Sequence, residues 1–250
     1  MKEQASYPSL AGQTVLITGG ASGIGAEIIR GFVQQEARIG FVDFDADGSA
    51  ALADETGASY EIADLRDISA LKTAFANLIA NLGSPKVLVN NAARDDRHGW
   101  ETVTEDYYDE RIATNLRHMF FATQACAPSM IAAGRGGSIV NMGSNSWWEK
   151  SGGMPVYTTS KAAVHGMTRS FARDLGPHRI RVNTVVPGWI MTDRQKELWV
   201  TDEALQAHLA NQCTPDPILP EEVAQMVLFL ASDAASACTA SNFFVEAGSI

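Results

Sequence analysis

Long apolar runs are missing from this chain of 250 residues: no stretch approaches the roughly 20 apolar residues that cross a bilayer. Residues 1–13 hold no apolar block ahead of the first strand-like run, so no secretory leader is expected. Basic residues are scarce, with 19 Lys and Arg against 29 Asp and Glu, for a net charge of −10. That sign disfavours nucleic acid, whose phosphates are met by clustered Lys and Arg, and anionic membranes equally. Cysteine is rare. Cys126, Cys213 and Cys238 are odd in number and form no C-x-x-C pair, which fits a reduced, cytoplasmic protein. The five histidines form no H-E-x-x-H. Asp95, Asp96 and His98 share one loop, where such residues are usually solvated, so no metal is expected. Repeats, low-complexity tracts and Pro/Gly linkers are also lacking, which leaves one domain over residues 1–250.

What is present is an alternation of short apolar runs and longer amphipathic ones. Strands are expected over 14–18, 38–43, 59–63, 86–90, 138–142, 179–186 and 243–246. Helices are expected over 24–35, 48–56, 69–82, 105–133, 157–175, 193–210 and 220–231. Several of the strands are almost wholly apolar, as parallel strands covered on both faces are. The fold class that follows is α/β, a Rossmann-like doubly wound parallel sheet of about seven strands with helices on both faces.

The first strand runs into Thr18-Gly19-Gly20-Ala21-Ser22-Gly23-Ile24-Gly25 and then a helix. Glycines here permit a tight turn and close approach of backbone to a pyrophosphate, which the helix N-terminus attracts. Asp43 ends the second strand, 18 residues after Gly25, where a carboxylate accepts hydrogen bonds from an adenosine ribose. A 2′-phosphate would meet like charge there, and neither Phe44 nor Asp45 offsets it, so NAD is favoured over NADP.

Tyr157 and Lys161 stand four apart, on one helix face. A free phenol, with a pKa near 10, is a poor base at neutral pH, and a neighbouring cation lowers it. Ser144 lies 13 residues upstream, just past a strand and hence at the carboxyl edge of the sheet, where open α/β folds bind ligands. An acyl nucleophile at Ser144 would want a G-x-S-x-G elbow, which is missing.

Together these residues resemble a short-chain dehydrogenase/reductase over essentially the whole chain. The family's glycine motif matches Thr18 to Gly25, with Gly19, Ser22, Gly23, Ile24 and Gly25 at the cofactor. Its adenine-contacting acid matches Asp64, followed by Leu65, and its N-N-A-G motif matches Asn90-Asn91-Ala92-Ala93. Its tetrad matches Asn115, Ser144, Tyr157 and Lys161, and its nicotinamide-lining P-G motif matches Pro187-Gly188, with Ile190 and Thr192 beyond. The resemblance implies that tyrosinate Tyr157 removes the substrate hydroxyl proton while hydride passes to nicotinamide. It also implies that Ser144 binds the reacting oxygen, that Lys161 lowers the tyrosine pKa and holds the ribose, and that Asn115 orders a water. Tetramers assembled through the helices at 105–133 and 157–175 are implied too, with Met119, Phe120 and Phe121 as candidate contacts.

The Tyr7-Pro8-Ser9-Leu10 lead-in, the 95–98 loop and Asn115-Leu116-Arg117-His118-Met119 narrow the resemblance to bacterial aldose 1-dehydrogenases of the D-xylose type. Those enzymes oxidise the anomeric hydroxyl of a cyclic sugar to a lactone. Asp95 and Asn145 suit sugar hydroxyls, while Trp147, Trp148 and Trp189 suit the C–H face of a pyranose, or else merely fill a lid or a subunit contact. A 3-oxoacyl thioester reductase, a polyol or steroid dehydrogenase, and a nucleotide sensor on an inactive fold stand as alternatives.

Overall fold

The computed structural model describes residues 5–250, so the leader reading over 1–13 lies partly outside the described residues. Seven strands are found among them: β1 (Thr14–Thr18), β2 (Arg38–Asp43), β3 (Ser59–Ile62), β4 (Val87–Asn90), β5 (Gly137–Met142), β6 (Ile180–Pro187) and β7 (Asn242–Val245). The helices between them are α1 (Gly23–Gln34), α2 (Ala46–Thr56), α3 (Ile68–Leu82), α4 (Glu105–Ile112), α5 (His118–Ala133), α6 (Pro155–Leu175), α7 (Asp193–Leu198), α8 (Asp202–Leu209) and α9 (Pro220–Ala231). All strand pairs are parallel, in the order β3-β2-β1-β4-β5-β6-β7. The chain leaves β1 toward β2 on one side and returns to β4 on the other. The carboxyl ends of β1 and β4 therefore diverge into a crevice, the usual ligand position in such sheets.

Two cores cover the two faces, and strand alternation feeds both. Val15 and Ile17 of β1 pack with Phe32 and Leu228 from α1 and α9. Leu16, between them, joins Phe75, Leu78 and Cys126 from α3 and α5 on the opposite face. Only β3, at the sheet edge, alternates in burial, leaving Tyr60 and Ile62 exposed. No described helix is long and apolar enough to cross a membrane.

Two expected helices are interrupted. The helix expected over 105–133 is one rod with a π turn at Ala113–Arg117, and both flanking residues stay in the right-handed helical region. Such bulges admit one extra residue per turn and gather at functional sites; here the turn contains Asn115. The helix expected over 193–210 breaks after Leu198, where Thr201 caps a new helix by accepting from Ala204 N–H.

Candidate active site

The crevice opens into a cleft of about 850 Å³ that runs across the carboxyl edge of the sheet. At its first end the β1–α1 turn is drawn tight. Gly19 has φ +69°, and a Cβ there would sit 2.7 Å from Ala92 Cα. A Cβ on Gly25 would lie 1.9 Å from Gly19 O, so α1 could not start this close to β1 with any other residue. Asn91 locks the turn to β4, its Nδ2 donating to Thr18 O at 3.2 Å and Gly19 O at 2.7 Å. Ser22 at the α1 N-cap makes no side-chain cap bond, so the first-turn donors of the helix are left to the cleft that Gly23, Ile24 and Gly25 line.

Asp43 is held beside this turn. One carboxylate oxygen accepts from Ala21 N–H at 2.9 Å and the other from Asp45 N–H at 3.0 Å. Further along the same wall, Asp64 pairs with Arg66 at 2.6 Å, which lowers the acid's pKa, and Arg66 also reaches Glu110 at 2.7 Å. The arginine nearest this end is thus already neutralised twice.

At the other end stand Ser144, Tyr157 and Lys161, all lining the cleft. Their placement depends on a buried polar chain. Asn90 Nδ2 donates to Asn141 Oδ1 (2.8 Å), Asn141 Nδ2 to Thr168 Oγ1 (2.9 Å), and Thr168 shares a 2.8 Å bond with Thr184. This chain joins β4, β5 and β6 to α6 and sets the height of that helix on the sheet. His98 completes its seating: Val156 N–H donates to His98 Nε2 at 3.2 Å, one residue before Tyr157, where α6 has no cap of its own.

Lys161 is fully buried and donates to Met142 O at 2.8 Å. Burial pulls its pKa down from 10.5 to about 7, against a smaller upward pull from Asp95. The sequence suggested that Lys161 would also depress the tyrosine. The protein alone does the opposite: burial, then the Asp95 charge, pushes Tyr157 above its ordinary value, and Ser144 and Arg97 recover only part. The reason is geometric. The ammonium turns to the Met142 carbonyl, 5.7 Å from the phenol ring centroid, and burial disfavours its charged form. Asn115 is deeper still, below the cleft, with Oδ1 accepting from Arg94 N–H at 2.8 Å and a buried Nδ2 that has no protein partner. His118, one turn on, donates from Nε2 to Ala92 O (3.0 Å), and burial lowers its pKa to about 3, with the Lys161 charge adding to the shift.

The substrate candidates divide. Asp95, Asn145 and Trp189 line the cleft at the tyrosine end. Asn145 Nδ2 donates to Glu149 (2.5 Å) and to Ser249 (3.2 Å). Trp147 does not reach the cleft. Its ring packs on Trp148, with centroids 3.7 Å apart, and edge-on to His165 at 4.7 Å, so aromatic stacking with α6 claims it instead. Met119 is buried in the interior rather than offered as a contact surface, whereas Phe120 is exposed. Gln195, Trp199 and His208 line the cleft without having been singled out. Trp199 and His208 lie on a stretch that shows only ordinary helical patterning, and their partners Arg97 and Trp189 come from other segments of the chain.

The family model described as enoyl-(acyl carrier protein) reductase matches residues 19–249. The chain is 48% identical over 249 residues to D-xylose 1-dehydrogenase from Caulobacter vibrioides, covering 98% of both chains. It is 43% identical to the protein named "Probable galactose dehydrogenase GalD" from Rhizobium meliloti, over 98% of this chain and 97% of that one. The ligand-free aldohexose dehydrogenase of Thermoplasma acidophilum superposes with a TM-score of 0.89 at 27% identity, over 98% and 96% of the two chains. With its glycine turn, paired asparagines, serine and Tyr-Lys helix arranged along one cleft, and with relatives this similar over its full length, the chain belongs to the short-chain dehydrogenase/reductase family.

Proposed function

We propose that this protein oxidises the anomeric hydroxyl of a cyclic aldose, a pentose or hexose such as xylose, arabinose or galactose, to the lactone with NAD as hydride acceptor. The observation that carries this reading is the arrangement of one continuous cleft. Asp43 and the glycine turn occupy one end, Ser144, Tyr157 and Lys161 the other, and Asp95, Asn145 and Trp189 lie beyond them. Residues of the family's dehydrogenases serve a nicotinamide cofactor, and the cradle fits one: Gly19 and Gly25 leave room that a Cβ would fill, and the first-turn donors of α1 suit a pyrophosphate. When bound, NAD supplies the hydride acceptor and a positive charge beside the phenol.

The chain's own residues do the rest. Ser144 hydrogen-bonds the reacting oxygen, Tyr157 takes its proton, and Lys161 holds the ribose and assists the phenolate. The unpartnered Asn115 Nδ2 suits the water that passes the proton outward. Asp64, Leu65, Asn91, Ala92, Pro187, Gly188, Ile190 and Thr192 complete the cofactor wall. Free cysteines support a cytoplasmic setting, and the exposed Phe120, against Phe171 at 5.1 Å, supports a homotetramer through α5 and α6. No role for nucleic acid, membrane or metal enters this reading.

A scan of aldoses, polyols, steroids and 3-oxoacyl thioesters with NAD(H), followed by NADH absorbance, tests the substrate. Turnover is expected with at least one pentose or hexose, and activity confined to acyl thioesters would overturn the reading. The cofactor is tested at Asp43. Asp43→Asn removes the charge and keeps an acceptor oxygen for only one of the Ala21 and Asp45 N–H groups, and the ratio of kcat/KM for NAD to that for NADP should fall by about tenfold or more. An unchanged ratio would mean that the carboxylate does not face the 2′ position.

A further inference from the structure

At the substrate end, three consecutive residues of the loop after β4 grip the segment around α7. Asp96 pairs with Arg194 at 2.6 Å, Asp95 accepts from Gln195, and the Arg97 guanidinium lies 5.5 Å from the Trp199 ring centroid. The middle contact differs from the other two because it continues into the site. Gln195 Nε2 donates to Asp95 Oδ2 at 2.7 Å, and Gln195 Oε1 accepts from Trp189 Nε1 at 2.9 Å. Its backbone N–H is tied to Thr192 Oγ1 at 3.3 Å, which fixes where the side chain starts.

We propose that Gln195 is a positioning residue of the sugar site: its amide bridges the Asp95 carboxylate and the Trp189 indole, and so sets the hydroxyl-binding group and the stacking face at a fixed relative position. This deepens the aldose reading above and rests on it.

The chemistry of the two partners admits little else at this position. An indole N–H only donates and a carboxylate only accepts, so the residue between them must accept on one side and donate on the other. A primary amide does both on one planar group, and the partners dictate which way round it sits. Glutamate would place a second carboxylate against Asp95. Alanine would leave a polar group on each side of the gap without its partner. Because Oδ2 of Asp95 is occupied by the amide, a sugar hydroxyl is offered the other oxygen, and its direction follows from the bridge. Trp189 is constrained twice, by the amide at its nitrogen and by His208 edge-on at 5.2 Å, so the indole plane is set before any sugar arrives. Discrimination among aldoses is then a property of α7, although α7 supplies no group to the reacting carbon.

The test uses the full chain and its Gln195→Ala and Gln195→Glu variants, assayed with NAD and whichever aldose the scan identifies. The loss should fall on KM for the sugar, roughly tenfold in the alanine variant and more in the glutamate variant, with kcat and NADH affinity within a few-fold of the parent. A glutamate variant no worse than alanine, or a sugar KM unmoved in both, overturns the bridge. Hydrogen exchange across residues 189–199 gives a reading that needs no substrate. Exchange should quicken in both single variants and slow again in the double variant Asp95→Asn/Gln195→Glu, where the donor and acceptor are swapped. Unchanged exchange in the single variants overturns the proposal whatever the enzyme oxidises. If the parent oxidises no aldose but the exchange pattern appears, the substrate reading fails and the bridge stands.

Discussion

Tyr157→Phe is expected to lose turnover by about 10²–10⁴-fold while holding NADH within a few-fold of the parent affinity. The substitution removes one oxygen and leaves the ring, so the packing at the head of α6 and the seat made by His98 are undisturbed. Steady-state rates beside a fluorescence titration with NADH make the comparison. Retention of most of kcat would remove Tyr157 from the role of base. The same proton sets the pH profile. Burial and the Asp95 charge hold the phenol above its ordinary value, and the active form in oxidation is the deprotonated one. The rate of sugar oxidation should therefore rise with pH across the neutral range, steeply at first and then levelling where cofactor and Lys161 together have brought the phenol down.

The second large effect is a separation of stability from activity at Lys161. Lys161→Met should lose turnover by about 10²–10⁴-fold and yet be the more stable protein at pH 7. The sign follows from the buried amine. Its pKa is about 7 folded and near 10.5 unfolded, so between those values the unfolded chain binds more protons. Stability contributed by this site accordingly rises with pH from about 7 to 10.5, and below pH 7 the full cost of burying the charge is present. A shift of that size corresponds to about 5 kcal/mol, and the hydrogen bond to Met142 that methionine forgoes offsets roughly 1–3 kcal/mol of it. Urea unfolding of parent and variant at pH 7 and pH 10 measures the difference. The variant's advantage should shrink at the higher pH. A variant less stable at pH 7 would show that the ammonium is better solvated than its surroundings indicate. Enzymes commonly carry such destabilised groups where chemistry needs them.

These two residues also show where local spacing stops being informative. That Tyr157 and Lys161 share a helix face follows from their separation alone, and the structure places both on the cleft. Spacing along a helix carries no account of depth, however, and depth decides the charge state. The fully buried ammonium faces the Met142 carbonyl, and in the protein alone the phenol stays above its ordinary value. Asn115 is a parallel case. Its match to the family motif was visible, but the π turn that sinks it below the cleft comes from a register slip between two otherwise regular helical stretches, which periodicity does not report.

Trp147 and Trp189 make the same point in opposite directions. Both were reasonable stacking faces from their positions just past β5 and β6. One was captured by Trp148 and His165, the other by Gln195 at the cleft. Aromatic rings go where complementary surface lies, and for both rings that surface includes a histidine on a following helix, His165 for Trp147 and His208 for Trp189, which only the packing of those helices brings into contact.

The amino-acid sequence alone determined the doubly wound parallel sheet, the glycine turn with Asp43 beyond it, and the Ser-Tyr-Lys set at the carboxyl edge. Each of these rests on short-range regularities: the period of apolar residues, the φ a glycine permits, the rise of a helix. Only the tertiary structure decided how deeply Lys161 and Asn115 lie, which tryptophan reaches the cleft, and that Gln195 joins Asp95 to Trp189. Those outcomes depend on contacts between segments tens to a hundred residues apart, and their energies arise from desolvation and packing that no local pattern encodes.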